Sequence, residues 1–467
     1  MSGNGNGFFT DGAELGSGSE EMLLKTLFAG TGANAAEFTG GRALQPESCE
    51  ATLINVMREQ QDDFKLMNTI KKTPVKSTVH QYNLRTDIGD ADMGFVAEAG
   101  EAPANLQDIR RVTRDMKFIQ KRGEVTEQAL VVDAFEDAFE TEKVAATLSV
   151  LKTAEKHCFH GDSAVVPKQF DGFLAQVRNA PADKRNLIDA RGRTIAAMGE
   201  NIFTDMAELI ADRGGEANKV FYPLVLGADI QALCRDRLRF GSEDRRMTAV
   251  FDTYPTLFGD LSIAGSAAGP DKLFFPKGAV KPSGDPRNLP NRPASVSVAA
   301  APGAGSQFAA ADAGVYMYEV HAVNEYGVSD AATCDPVAVA AGETVRIEIA
   351  AAAVNPGTGF VICRSMPNGD VTKEMVRVGR EEHGPATVAI DANADLPGTA
   401  EMLFITERKM QAVVEFFQLL PMRLYRMFPT HRLTSPFVMA LWGTPNMKAP
   451  HWCGSVRNIA YKGGFYG

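Results

Sequence analysis

At Lys281-Pro282-Ser283-Gly284-Asp285-Pro286, with Pro290 and Pro293 close behind, the chain changes character. From there to about Pro397 it is rich in Ala, Val and Gly. Short apolar runs recur: Val315-Tyr316-Met317-Tyr318-Glu319-Val320, Val345-Arg346-Ile347-Glu348-Ile349 and Phe360-Val361-Ile362-Cys363-Arg364. Strand-type runs at short intervals, with turn residues between them, describe a β-sandwich. The block 286–400 therefore reads as an inserted all-β sandwich. Neither flank, 45–285 or 400–467, contains a complete alternation of layers, so the two must build one body together.

Length agrees with more than one core, since 467 residues exceed the ~250–300 at which single cores stop growing. Residues 1 to about 45 are rich in Gly, Asn, Ser and Ala, with one short apolar patch from Met22 to Phe28. Alone, such a segment buries too little to offset its ordering entropy. It reads as an arm that takes hold of neighbouring chains. From Ser77 to Arg122, two strand-like stretches flank a polar tip. The first carries Val79, Tyr82 and Leu84, and the return alternates through Val112-Thr113-Arg114-Asp115-Met116-Lys117-Phe118. Arms of about ten residues would project ~30 Å, and an isolated two-stranded hairpin is marginal in water. It needs a partner surface. Its charge is segregated: Asp87, Asp90, Asp92, Glu98 and Glu101 lie around the tip, and Arg110, Arg111, Arg114, Lys117, Lys121 and Arg122 along the return. Identical copies side by side can pair acidic tip with basic strand, which makes Asp87, Asp90, Asp92, Arg110, Arg111, Arg114 and Lys117 the candidate inter-subunit contacts.

A long helix is expected from about Ala134 to His160, with Val144, Leu148, Leu151 and Cys158 on its apolar stripe and Gly161 ending it. At ~1.5 Å per residue this is a rod of ~40 Å. Residues 201–258 then read as helix (203–210), strand (220–226) and helix (228–238). The overall class is α+β, without the regular strand–helix alternation of a Rossmann sheet.

Several functions are disfavoured by the same residues. A net charge of -10 lacks the cationic excess behind non-specific nucleic-acid affinity, although an acidic wall is compatible with enclosing mobile DNA. The six cysteines, at 49, 158, 234, 334, 363 and 453, form no C-x-x-C pair and read as reduced thiols. The N-terminus has no signal-peptide pattern, and no uncharged apolar run is long enough for a bilayer; synthesis in a cytoplasm is expected. Asp87-x-x-Asp90-x-Asp92 has calcium-type oxygens without the EF-hand pattern, and His157-Cys158-x-His160 with Asp162 lacks the His spacing of H-E-x-x-H. Histidines near a helix C-terminus are favoured electrostatically in any case. Gly30-x-Gly32 is not followed by Gly-Lys-Ser/Thr, and there is no G-x-S-x-G. No catalytic residue, metal or cofactor is assigned.

The order of elements resembles the major capsid proteins of tailed bacteriophages. The most specific local match is Phe159-His160-Gly161-Asp162 followed by Gln169-Phe170-Asp171-Gly172-Phe173. The resemblance implies an HK97-like capsid fold: an N-terminal arm (1–70), an extended hairpin (71–125), a peripheral domain with a spine helix (126–200), an axial domain (201–285), the insertion, and a return to both domains (401–467). Tyr316-x-Tyr318-x-Val320-x-Ala322-Val323-Asn324-x-x-Gly327-x-Ser329 in turn resembles fibronectin type III and related Ig-like modules. The capsid resemblance implies self-assembly into hexamers and pentamers of an icosahedral head around double-stranded DNA, bound without sequence specificity. It also implies portal, scaffold or decoration proteins as partners, no membrane, and a virion assembled in the host cytoplasm. Some family members join subunits by Lys-to-Asn isopeptide bonds; Lys117 or Lys121 with Asn458 would be the pair here, with no local motif to fix it. The alternatives are an encapsulin-type nanocompartment shell and an adhesin that binds through the sandwich.

Overall fold

The computed structural model describes residues 64–87, 95, 96, 98, 100, 101, 108–131, 137–234, 253–263, 277–284, 287–384, 386–407, 412–429 and 432–466. The expected arm up to residue 63 lies outside them, as do Asp90 and Asp92 at the hairpin tip.

A short helix, α1 (Lys65–Thr69), leads into β1 (Lys71–Pro74). Strands β2 (Val79–Asp87) and β3 (Asp108–Asp115) form the hairpin, in register from Val79 opposite Asp115 to Asp87 opposite Asp108. The return run is not one strand. It breaks at the buried Met116, whose N–H goes back to the Thr78 carbonyl, and β4 (Lys117–Thr126) then joins a different sheet. The alternation in sequence continues across this break because both pieces are extended; only the change of partner separates them.

After α2 (Glu127–Val131) comes the spine helix α3 (Ala138–His160). Its start is set by Asp137, whose carboxylate accepts the N–H groups of Phe139 and Glu140, four residues later than the periodicity suggested. The apolar stripe also differs from expectation. Ala146, Val150, Ala154, Cys158 and Phe159 are buried, whereas Val144 is half-exposed and Leu148 and Leu151 are only partly covered. The helix packs on β4, and the positions it buries are Ala146, Val150, Ala154, Cys158 and Phe159 rather than the two leucines.

The helix stops in a tight crossing. Gly161 N–H donates to the His157 carbonyl, and Gly172 N–H donates to the Gly161 carbonyl, both at 2.8 Å. Gly161 has φ -60°, so left-handed geometry is not what demands glycine here. A Cβ on Gly161 would sit 2.4 Å from the Phe170 carbonyl oxygen, and one on Gly172 would sit 2.6 Å from that of Phe159. Asp171 holds the turn by accepting the Ser163 N–H, and α4 (Phe173–Arg178) starts directly behind it.

The next elements are β5 (Asn186–Asp189), α5 (Ile195–Met198), α6 (Asn201–Asp212), β6 (Lys219–Phe221), α7 (Leu224–Cys234), β7 (Thr253–Thr256) and β8 (Gly259–Ile263). Helix α6 buries Ile202, Phe203, Met206, Ala207 and Ile210 on one face, as its periodicity predicts. The expected strand 220–226 ends at Phe221, because Pro223 cannot donate to a ladder and suits a helix start.

Strands β9 (Ser283–Gly284), β10 (Ser295–Pro302), β11 (Gly314–Tyr316), β12 (Tyr318–Asn324), β13 (Gly327–Thr333), β14 (Val337–Val339), β15 (Glu343–Ala350), β16 (Gly359–Ser365), β17 (Thr372–Gly379) and β18 (Thr387–Asp391) pair among themselves. A three-stranded sheet, β10-β15-β18, and a five-stranded sheet, β17-β16-β12-β13-β9, send Val345, Ile347, Ile349, Tyr318, Val320, Phe360 and Ile362 into one core. The chain closes with β19 (Ala400–Ile405), β20 (Val414–Arg426), β21 (Thr434–Met447) and β22 (Gly454–Ile459). The remaining two large sheets interleave the flanks: β1-β20-β21-β4 beneath α3, and β5-β22-β19-β6-β8-β7 beside α6.

Candidate assembly surfaces

The hairpin is fixed at its base and exposed beyond it. Arg114 Nε donates to Asn446 Oδ1 at 2.8 Å, the Tyr82 hydroxyl donates to the same oxygen at 3.2 Å, and the His80 ring lies 4.4 Å from that of Phe417. Lys117 Nζ donates to the Pro167 carbonyl at 2.7 Å. Of the residues proposed for contacts between subunits, Arg114 and Lys117 are thus already engaged within their own chain. Arg110 and Arg111 lie on the exposed stretch of β3, with Arg111 reaching Asn83 across the hairpin. Asp87 ends β2.

Sequence reasoning missed two apolar features. Phe95 is fully exposed beside Val96, close to the exposed Glu98 and Glu101. Around the β20–β21 turn, Met427, Phe428 (91% exposed) and Leu433 are also uncovered. Beside that turn a cavity of about 250 Å³ is lined by Arg122, Glu124, Arg287 and Arg432. An apolar group within a charged stretch was the available signal in each case, at Met93-Gly94-Phe95-Val96 and Met427-Phe428-Pro429.

A second cluster joins the spine helix to the inserted block. Lys156, His160, Asp162, Arg178, Lys277, Glu374, Arg377, Asp395 and Glu401 surround a small cleft, in which Glu374 pairs with Arg377 at 2.7 Å. Loop residues Val165 and Val166 pack against Val361 and Cys363, and a Cβ on Gly359 would strike Val165. Burial pushes His157 down to about 4 and His160 down to about 3, with the Arg377 charge acting in the same direction. Both rings are therefore neutral at neutral pH, and the helix-dipole explanation for them does not hold; burial outweighs it. Since both values are depressed below the ordinary 6.5, the unfolded chain binds these protons more readily. Their contribution to stability is complete above about pH 6.5 and is lost as pH falls towards 3–4. Thermal melting followed from pH 7 to pH 4 should show this loss, and His160→Gln should flatten the profile.

Asn458 is 1% exposed. Its amide donates to Asp189 Oδ1 and to the Ala394 carbonyl, and its oxygen accepts the Leu396 N–H. Every polar atom of that side chain is in use and enclosed, which removes it as a cross-linking partner for Lys117 or Lys121. Cys158, Cys334, Cys363 and Cys453 are free thiols, each pushed up by burial. Among the described residues no group of three or more His, Cys, Asp or Glu is arranged to hold a metal, and no helix is long and apolar enough to cross a membrane.

Residues 30–275 match the model of the SU10 major capsid protein family, and the chain belongs to that family of non-enzymatic phage capsid proteins. A protein of Enterococcus phage phiEF24C is 23% identical over 464 residues, covering 95% of both chains. The major capsid protein of Staphylococcus phage K is 23% identical over 465 residues, covering 95% of this chain and 96% of its own. Among solved structures, the capsid of a native GTA particle aligns with a TM-score of 0.44 at 11% identity, over 92% of this chain and 100% of the other. The SrpI encapsulin of Synechococcus elongatus aligns at 0.42 and 8% identity, over 90% and 95%.

Proposed function

We propose that this capsid protein closes an icosahedral head from hexamers and pentamers, with the hairpin of each copy laid on the next, around double-stranded DNA held without sequence specificity. The observation that carries the reading is the hairpin itself, a two-stranded ribbon exposed beyond its anchored base, which is marginal in water unless another surface covers it. The acidic tip with Phe95 suits a surface that is basic and apolar; Arg110, Arg111 and the β20–β21 turn have that chemistry. Asp87, Asp90 and Asp92 belong to the acidic side of this contact. Arms 1–70 extend the overlap, and residues 71–125, 126–200, 201–285 and 401–467 act as hairpin, peripheral, axial and returning segments. The block 286–400 is an Ig-like module carried on the surface, where it leaves closure unobstructed. Portal, scaffold and decoration proteins are the other expected partners, and assembly takes place in the host cytoplasm.

Negative-stain electron microscopy with light scattering tests this. The native chain should give rings or closed shells. Arg110→Glu with Arg111→Glu should give monomers, with melting nearly unchanged because exposed charges contribute within about 0.5 kcal/mol. Normal shells from the double variant would remove these arginines from the interface; a native chain that stays monomeric at all concentrations would count against self-assembly.

A further inference from the structure

Strand β4 is the last in its sheet, with β21 on one side and, among the described residues, no strand on the other. Just past its end the Glu127 N–H donates to the Leu433 carbonyl in the register of the ladder, while the Pro436 carbonyl, opposite Glu124, turns away and accepts the Met427 N–H. The odd-numbered residues of β4 therefore exchange hydrogen bonds with β21, and Phe118, Gln120, Arg122 and Glu124 turn their N–H and C=O groups outward. The opposite edge of the sheet differs. There β1 has four residues and ends at Pro74, and the α1 segment before it is tied to α3 by the fully buried Glu155, whose carboxylate accepts the Leu66 and Met67 N–H groups at 2.8 and 2.9 Å.

Two cavities lie along the free edge of β4, one towards each end. The first, of about 550 Å³, is lined by residues 117–121 of β4, by Lys168 and Phe170 of the loop after α3, and by Glu325 and Tyr326 between β12 and β13. The second is the cavity of about 250 Å³ beside the β20–β21 turn. Together they present Lys117, Lys121, Lys168, Arg122, Arg287 and Arg432, against two carboxylates, Glu325 and Glu124, which already pair with Lys168 and Arg122. Lysines on an edge discourage indiscriminate strand pairing, and a cationic edge admits an acidic strand in preference to others. The chain itself carries a stretch of that chemistry: Phe95, Val96, Glu98 and Glu101 are exposed and outside any strand. Extended, residues 95–101 would run ~23 Å, within the ~30 Å length of β4.

Resting on the reading that each hairpin is laid on the next copy, we propose that residues 95–101 of one copy add as a strand to the free edge of β4 of its neighbour. The outward N–H and C=O groups of Phe118, Gln120 and Arg122 supply the ladder, as in other cases of strand addition to an open sheet edge. Lys121 and Arg122 meet the carboxylates of Glu98 and Glu101. Phe95 enters the larger cavity, whose walls include Phe118, Phe170 and Tyr326.

Fluorescence anisotropy of a labelled peptide with the sequence of residues 93–103, titrated with dilute, unassembled full-length chain, tests this seat. Saturable binding is expected. It should weaken about tenfold or more in Gln120→Pro, which removes one outward N–H and no bond to β21, and in Lys121→Glu, with denaturation midpoints unchanged in both. A peptide that fails to bind, binds both variants as it binds the native chain, or binds no better than a scrambled peptide of the same composition would overturn the proposal. Normal shells from both variants would overturn it too and leave the closed-head reading intact. A native chain that binds the peptide yet stays monomeric would support the seat and count against the closed head. Lys121 is exposed, so Lys121→Glu keeps the test decisive if Gln120→Pro does not fold.

Discussion

Asp391→Ala should unfold the inserted block ahead of the rest of the chain, at a cost of about 3–5 kcal/mol. Asp391 ends β18 on the three-stranded sheet, and its Oδ2 takes Arg364 Nη1 of the five-stranded sheet at 2.6 Å. The two side chains are 2% and 1% exposed. The Tyr318 hydroxyl donates to the same oxygen at 2.9 Å, and Arg364 Nη2 reaches Asn393 Oδ1 at 2.7 Å. Arg364 also lies between Phe308 and Tyr316, 5.3 and 5.2 Å from the ring centroids. Removing the carboxylate leaves a guanidinium among aromatic rings with its main counter-charge gone, and such a group cannot escape by deprotonation. The pair Asp391→Leu with Arg364→Met should recover most of the loss, since apolar replacement of a whole buried pair is often neutral. Denaturant titration followed by hydrogen exchange at β12 and β16 reads both outcomes. Unchanged protection in Asp391→Ala would show that the ion pair does not hold the two sheets together.

Gly172→Ala should cost at least about 2–3 kcal/mol, the range for forcing one methyl group into a packed interior, and Gly161→Ala should behave alike. The new Cβ at position 172 meets the carbonyl oxygens of Phe159 and His157 at 2.6 and 2.7 Å, and neither oxygen sits on a flexible side chain. Relief requires the end of α3 to move. That end positions Phe173, Leu174 and Val177 in the core beneath the helix and brings Val165 and Val166 against Val361 and Cys363. The variant should therefore melt lower and form fewer shells. Denaturation midpoints within those of the native chain would show that the crossing has room to spare.

The Gly-Asp and Asp-Gly pairs around the spine helix terminus were legible as a motif, but not their cause. Glycine at a helix end suggests a left-handed cap, whereas here the backbone is ordinary and the close approach of a second segment demands glycine. Arg110 and Arg111 were legible as exposed cations. Arg114 and Lys117, three and six residues beyond Arg111, have the same chemistry in sequence and turn inward because Asn446 and Pro167 are waiting there. The stripe on α3 was misread for a related reason. Periodicity locates apolar positions but not the sheet that selects among them, and this sheet takes Ala146 and Ala154 over Leu148 and Leu151. Glu155 gave no sign at all, since a glutamate in a helix rich in charge reads as solvated.

What the sequence determined by itself was therefore local. It set the change of character at 281–286, the alternating strands that follow, the two-stranded hairpin and the long helix. These features depend on period, turn residues and chain continuity, which neighbours in sequence decide. The tertiary structure alone decided which face of each element is covered. Phe360-Val361-Ile362-Cys363 is apolar on both faces because one side enters the core shared with Val320 and Ile347 and the other meets Val165 and Val166 of the loop after the long helix. The same is true of the buried charges: Asp391, Arg364 and Glu155 look exposed until segments far away in the chain enclose them, because desolvation depends on the whole surrounding fold and not on the residues beside them.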